Sequence, residues 1–358
     1  MPPSPLAAVH GGVVIKMNPK HGYSKPLNTG KKMKILITGG AGFIGSHLLS
    51  RCLRDGHQVV VVDNFLTGKM SNIEAVLSEN PDYAARFTLV REDIRHPEAM
   101  CSLADGMDMI FHEAAIGSVP WSIRDPMLVH ETNLTGFLNI LEAAKKNHIR
   151  RVVYASSSAV FGDAPDVPAV EGREGASLSA YAASKFSQEI YAQAYARCYG
   201  LEIVGLRYFN VFGARQDPNG AYAAVIPRWA LAMSSGVPCT IFGDGHSTRD
   251  YCHVDNIVEA NMLAARADLC QAAGCGADLA LNIGCGAETS LLELHDMMAE
   301  NFELLRGIHV EKPKFEPPRA GDIERSVADI SKAAGILGFK PGISVREGLR
   351  NLIAGASL

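Results

Sequence analysis

The sequence predicts a doubly wound α/β fold: a mostly parallel sheet with helices on both faces, accompanied by a smaller, loop-rich α/β lobe. Three observations carry this expectation. From Met33 onward, short and almost uninterrupted apolar runs alternate with longer stretches of helical period, the pattern of strands buried on both faces. The first run passes into a glycine-rich turn that opens a helix, and the second ends on an acidic residue, Asp63.

Taken in order, Lys34–Thr38 reads as the first strand, Phe43–Asp55 as a helix and Gln58–Asp63 as the second strand. The second strand is rich in valine, whose β-branched side chain suits a pleated surface. Phe87–Val90, Met109–Phe111 and Arg151–Tyr154 continue the series, with Leu201–Leu206 and Cys239–Phe242 as later candidates. The alternation loses its regularity after about residue 210, where loops such as Asp217-Pro218-Asn219-Gly220 and Pro313–Gly321 become frequent. The expected division is a flexible extension over residues 1–32, a nucleotide-binding domain over 33–210 that regains segments around 237–265, and a substrate lobe over 211–358.

Composition narrows the function. The 358 residues are 47% apolar and 20% charged, with a formal net charge of −4, so no basic field invites nucleic acid. No window approaches the roughly 18 apolar residues that span a bilayer. Val13-Val14-Ile15, an apolar piece of the extension, is too short for a signal-peptide core. Eight cysteines are scattered without a CxxC pair, Cys270 and Cys275 being the closest two. They fit reduced thiols of a cytoplasmic protein better than zinc or disulfide chemistry, and no metal is expected.

The glycine turn is Gly39-Gly40-Ala41-Gly42-Phe43-Ile44-Gly45. Alone such a pattern is weak; between a strand and a helix it describes a phosphate-binding turn. Missing side chains let the backbone approach a pyrophosphate, and the helix start offers free N–H groups. Asp63 follows 18 residues after Gly45 and is succeeded by Asn64, not arginine. A carboxylate there can hold both ribose hydroxyls of NAD and repels the 2′-phosphate of NADP. The competing role for Asp63 is a strand-end cap. Asp93-Ile94 follows the third strand, where a carboxylate can reach an adenine amino group, although aspartate after a strand is also a common turn residue.

Tyr181-Ala182-Ala183-Ser184-Lys185 places a phenol and an ammonium at i and i+4, on one face of a helix. A neighbouring cation favours the phenolate. Bringing a phenol from about 10 to neutrality takes roughly 4 kcal/mol of differential stabilisation, after which it can act as a general base. Ser156-Ser157-Ser158 closes the fifth strand and offers a hydroxyl to a reacting oxygen; two of the three are expected to serve only the strand end.

These motifs, together with His112-Glu113-Ala114-Ala115, Asn133, Phe161-Gly162-Asp163, Leu206-Arg207-Tyr208-Phe209-Asn210-Val211-Phe212-Gly213 and Arg249-Asp250-Tyr251, make the chain from Met33 onward resemble the extended short-chain dehydrogenase/reductase family, and within it the nucleotide-sugar epimerases. The resemblance implies a Rossmann-type domain that binds NAD, a UDP-sugar substrate and a homodimer built on helices near residues 130–147 and 180–199. It implies Tyr181 as the base, Lys185 as its partner and Ser157, or its neighbour Ser158, as the catalytic hydroxyl. Gly39, Gly42, Phe43, Ile44, Gly45, Asp63, Asn64, Asp93, Ile94, Ala114, Ala115 and Asn133 match cofactor positions, and Phe209 a position that packs on the nicotinamide. Ser118, Ser157, Asn210 and Val225 match substrate contacts. Arg249 and Arg319 match the clamp on the UDP diphosphate, a task that suits guanidinium forks.

Two departures narrow the reaction. The family's 4,6-dehydratases carry Thr-Asp-Glu where this chain has Ser157-Ser158-Ala159, so the acids that eliminate water are missing. Epimerases strict for UDP-glucose and UDP-galactose resemble one another in a tyrosine seven residues after the second arginine; here that position is Ser326, which leaves room for a 2-acetamido group. Gly117-Ser118-Val119-Pro120 and the segment Gln216–Pro227 are similar to those of bacterial epimerases acting on UDP-N-acetylglucosamine or its uronic acid. Those relatives tend to have arginine where this chain has Trp121. The expected activity is therefore 4-epimerisation of UDP-N-acetylglucosamine, with a UDP-uronate epimerase or decarboxylase as the alternative. A non-catalytic NAD-binding regulator is a third possibility, disfavoured by the intact Ser157, Tyr181 and Lys185.

Overall fold

The computed structural model describes residues 32–218, 224–274, 279–318 and 324–355. Its centre is a seven-stranded parallel sheet. In chain order the strands are β1 (Lys34–Thr38), β2 (Gln58–Asp63), β3 (Phe87–Arg91), β4 (Met109–His112), β5 (Arg151–Ser157), β6 (Glu202–Tyr208) and β7 (Ala280–Ile283). In space the order is β7-β6-β5-β4-β1-β2-β3. The order reverses between β1 and β4, and ligands of such sheets bind in the crevice beyond the strand C-termini at that reversal.

The helices that matter to the site are α1 (Phe43–Arg54), α2 (Val119–Arg124), α3 (Gly136–Lys146), α4 (Ala180–Tyr199), α5 (Val225–Ser234), α6 (Val254–Arg266) and α7 (Leu291–Arg306). One apolar core joins α1 and α6 to the sheet through residues such as Leu48, Leu49, Ile257 and Met262. Another joins α3 to the opposite face through Phe137, Ile140 and Leu141. A third, built on Phe212, Trp229, Ile241, Leu294, Met298 and Phe302, belongs to the later part of the chain.

The expected sixth-to-seventh strand assignment needs correction. Thr240–Phe242 does not join the main sheet; it pairs with Lys314–Glu316 in a sheet of its own. The seventh strand is Ala280–Ile283, bonded to β6 and buried along its length. Four residues with an asparagine in the middle carry too little periodicity to stand out in the sequence. Of the stretch 237–265, Cys252 and the helix α6 pack into the first core; Leu279, Leu281, Ile283 and the later Ala333, Leu337 and Phe339 join it. All but the last residue of the 1–32 extension lies outside the described residues.

A buried ion-pair cluster fixes α4 against the sheet. Arg207 on β6 donates to both oxygens of Glu189 on α4, at 2.9 and 2.7 Å, and pairs with Glu174 at 2.6 Å. The Ser156 hydroxyl at the end of β5 donates to the same Glu189 at 2.5 Å. Ser156 is thereby committed to structure. Among the described residues no helix is long and apolar enough to cross a membrane, and no cluster of His, Cys, Asp and Glu could hold a metal ion.

Candidate active site

A cleft of about 420 Å³ opens at the strand reversal. Its floor at one end is the glycine turn. Gly39 has φ +72°, and a Cβ there would stand 2.6 Å from the Ala114 backbone nitrogen. A Cβ on Gly45 would stand 2.2 Å from the Gly39 carbonyl oxygen. Gly42 caps α1 without a side-chain bond, so the first N–H groups of the helix face the cleft beside Phe43 and Ile44. Asp63 ends β2 at 8% exposure and accepts from the Ala41 N–H at 3.0 Å and the Phe65 N–H at 2.8 Å. Burial pushes its carboxyl above the ordinary aspartate value while those N–H groups pull it back. Asp63 thus serves as a strand-end cap and lines the cleft as well.

Ser157, Tyr181 and Lys185 converge on the same cleft, whose lining also includes Ala114, Ala115, Asn64 and Ile94. Ser179 caps α4 by accepting from the Ala182 N–H, which places Tyr181 in the first turn and Lys185 one turn on. The buried Lys185 ammonium donates to the Ala155 carbonyl at 2.7 Å. Burial lowers its pKa to about 8, against the pull of Glu113 and Glu189. Burial also pushes the Tyr181 phenol above the ordinary tyrosine value, with a hydrogen bond involving Ser157 acting the other way. The sequence predicted a phenol lowered by its lysine; in the protein by itself desolvation outweighs the hydrogen bond involving Ser157.

Several expected contacts lie elsewhere. Asn133 is fully buried: its amide accepts from the Ile116 N–H at 2.8 Å and donates to the Ile116 carbonyl and the Ser184 hydroxyl. It sits in a π-turn over Glu131–Thr135 and is a strut between the 114–117 loop and α4, not a wall of the cleft. Asp93 holds Arg95 and accepts from the Asn64 amide at 2.9 Å; its neighbours Glu92 and Ile94 line the cleft in its place. Phe209 is buried with Val160, Phe161 and Ala328. The residue before it, Tyr208, faces the cleft, as strand alternation requires. Ser158 opens a single 3-10 turn off the cleft wall. Ser118 caps α2 by accepting from the Trp121 N–H at 3.1 Å.

A second cavity of about 290 Å³ is lined by Asn210, Val225 and Arg249, and Val211 borders both spaces. Asn210 holds an uncommon φ of +28° and donates to the Asp250 carbonyl at 3.1 Å. Asp250 is fully buried and accepts from the N–H groups of Cys285, Gly286 and Ala328, so the Arg249 loop is rigidly seated. Ser326 pairs with Arg249 across a three-stranded sheet but is not on either cavity wall. Arg319 lies outside the described residues. Sequence reasoning missed Glu113, Tyr208 and Gln216 in the cleft and Arg228 and Trp229 in the second cavity. Glu113 and Tyr208 stood inside quoted motifs as polar groups at the ends of apolar strands, the one signal that marked them.

With this geometry in view, residues 35–281 match the NAD dependent epimerase/dehydratase family. The chain belongs to that family. A UDP-glucose 4-epimerase from Mycolicibacterium smegmatis is 36% identical over 90% of this chain and 97% of its own length. Among solved structures, the UDP-N-acetylglucosamine 4-epimerase of Methanobrevibacter ruminantium, in complex with UDP-N-acetylmuramic acid, superposes with a TM-score of 0.81 at 36% identity, covering 90% of this chain and 97% of that one. The UDP-glucuronic acid 4-epimerase of Bacillus cereus, in complex with UDP-glucuronic acid and NAD, gives 0.77 at 31% identity over 90% and 98%. This family member is an NAD-dependent enzyme, and its cleft fits the cofactor: the turn has no space for side chains at Gly39 and Gly45, and a buried acid closes β2.

Because a methyl group at position 45 collides with the backbone of the turn, Gly45→Ala is expected to emerge from purification without NAD while wild type carries it. Absorbance of the nucleotide released on denaturation, with circular dichroism as the folding control, checks this; equal cofactor content in the two proteins would contradict it.

Proposed function

We propose that this enzyme interconverts UDP-N-acetylglucosamine and UDP-N-acetylgalactosamine by NAD-dependent 4-epimerisation, as an isomerase. The observation that carries the proposal is the convergence of Ser157, Tyr181 and Lys185 on the cleft, which meets at Val211 a second cavity bearing Arg249. In this reading residues 33–210 mainly serve the cofactor and 211–358 mainly the sugar nucleotide.

Tyr181 takes the proton of the sugar 4-hydroxyl while Ser157 hydrogen-bonds the same oxygen. The Lys185 ammonium steadies the phenolate. Bound NAD supplies the hydride acceptor and later donor, and in its oxidised form a positive charge beside the phenol. Arg249, with Arg319, holds the diphosphate, so the 4-keto sugar can turn about that anchor and present its other face. Tyr181 then returns the proton. Asn210 and Val225 bound the sugar side, with Ser118 fixing the α2 start nearby. Ser326 beside Arg249 leaves space for an acetamido group, and Ser157-Ser158-Ala159 offers no acid for dehydration.

The alternative remains a UDP-uronate epimerase or decarboxylase. The Arg124 guanidinium lies 5.5 Å from the centroid of the Trp121 ring, a cation one turn beyond the position where relatives acting on UDP-N-acetylglucosamine or its uronic acid tend to carry arginine. The proposed assembly is a homodimer in the cytoplasm; Ile190 and Tyr191 on α4 are exposed at 55% and 42%, as a helix awaiting a partner would be.

Replacing Tyr181 by phenylalanine removes the base and should lower kcat for epimerisation about 10²–10⁴-fold, with UDP affinity preserved by calorimetry; retention of most activity would overturn the mechanism. Ser326→Tyr should lose the N-acetylated pair selectively and keep UDP-glucose turnover, measured as kcat/KM on each. Equal loss on all sugars would rule out a gate at this position.

A further inference from the structure

Glu113 is a carboxylic acid in the cleft wall with no part in the chemistry above. It follows β4 directly, and its backbone N–H is bonded to the Thr38 carbonyl at 3.1 Å, so its position is fixed by the sheet. Its Oε1 accepts from the Tyr208 hydroxyl at 2.9 Å. That hydroxyl in turn accepts from the Asn261 amide of α6 at 2.8 Å. The order of donors leaves Tyr208 its one proton to give, and it is given to Glu113. His112 stands opposite Tyr154 in the β4–β5 register, which sets Glu113 beside Ala155, whose carbonyl holds the Lys185 ammonium; acid and ammonium line the same cleft.

The groups around Glu113 identify what its charge acts on. His112, on its own strand, is buried and held neutral by desolvation, with a pKa lowered to about 3, and its Nδ1 meets Thr38 at 2.8 Å. From β1 and α6 come Thr38 and Asn261, both uncharged. From β6 comes Tyr208, whose phenol burial and Glu113 push well above the ordinary value. From α4 come Tyr181 and Lys185. The other carboxylate near Lys185, Glu189, is already committed to Arg207 and Ser156. Lys185 and Glu113 line the same cleft, and each favours the charged form of the other. Burial outweighs these opposing pulls at both groups, leaving Glu113 raised to about 7 and Lys185 lowered to about 8.

We propose that Glu113 is a positioning residue that keeps Lys185 an ammonium, its carboxylate being aimed by the Tyr208–Asn261 relay so that the cation beside Tyr181 persists at the pH of turnover. The sign follows directly. An opposite charge favours the ionised lysine, so removing the Glu113 charge lets Lys185 lose its proton at a lower pH. The proposal concerns the charge state of Lys185; only the consequence for turnover rests on the epimerase reading.

The test is a titration of the full chain with its NAD bound. Lysines labelled with ¹³C at Cε are followed by NMR, and the Lys185 signal is identified by its loss in Lys185→Arg. In Glu113→Gln the Lys185 signal should titrate at a pH about one unit lower than in wild type. Tyr208→Phe, which leaves the acid but removes its donor, should move it less and in the same direction. Should Glu113→Gln fold poorly, Tyr208→Phe gives the same answer. The alkaline limb of kcat against pH should descend with the titration, while kcat below that limb is retained. An unchanged Lys185 midpoint in both variants would overturn the proposal. A shifted midpoint with an unmoved alkaline limb would uphold it and count instead against Lys185 as the partner of the base.

Discussion

The Arg207–Glu189 pair is the interaction on which the rest of the site depends. Two charges placed this deep each cost several kcal/mol of desolvation. They are tolerated because every major group is answered: the guanidinium meets Glu189 in a fork and Glu174 on its remaining side, its face lies 4.9 Å from the Phe161 centroid, and Glu189 receives Ser156 as well. The pair ties β6, β5 and α4 into one rigid unit. Tyr181 and Lys185 stand on that helix and Ser157 ends that strand. The mutual position of the three groups is set by a salt bridge none of them belongs to.

Geometry of this kind matters because the chemistry works against desolvation. Burial of these groups strengthens each charge's interactions and also makes the phenolate harder to form. Burial raises the Tyr181 phenol and lowers the Lys185 ammonium; both shifts oppose a general base. A buried acid at the end of a neighbouring strand counters the second. The arrangement is a balance among a few buried charges, each tuned by which hydrogen bonds its neighbours have already committed.

Much of this was legible in the sequence. The strands β1 to β6, the glycine turn, Asp63 and the Tyr181–Lys185 spacing depend on local pattern, and local pattern survives folding. What escaped depends on neighbours distant in the chain. Glu113 and Tyr208 are 95 positions apart and meet at 2.9 Å because β4 and β6 flank β5; spacing along the chain cannot reveal that. Phe209 was expected on the cofactor; it packs with Val160, Phe161 and Ala328, and its neighbour Tyr208 lines the cleft. Asn133 and Ser118 were expected to touch ligands; Asn133 bonds the Ile116 backbone and the Ser184 hydroxyl, and Ser118 the Trp121 N–H. A polar side chain at a turn meets unbonded peptide groups before it meets any ligand, and the sequence does not show which demand is satisfied first. Ala280–Ile283 was overlooked as a strand because four residues carry too little periodicity, and its place is set by pairing with the distant β6.

The central claim is that this site moves a hydride away from and back to a sugar C4 while its cofactor stays bound. Proton NMR of the purified protein incubated with UDP-N-acetylglucosamine, with no NAD added, tests it most directly. The account predicts a second anomeric signal, matching UDP-N-acetylgalactosamine, that grows to a constant ratio. An unchanged spectrum from folded protein shown to carry NAD would contradict it.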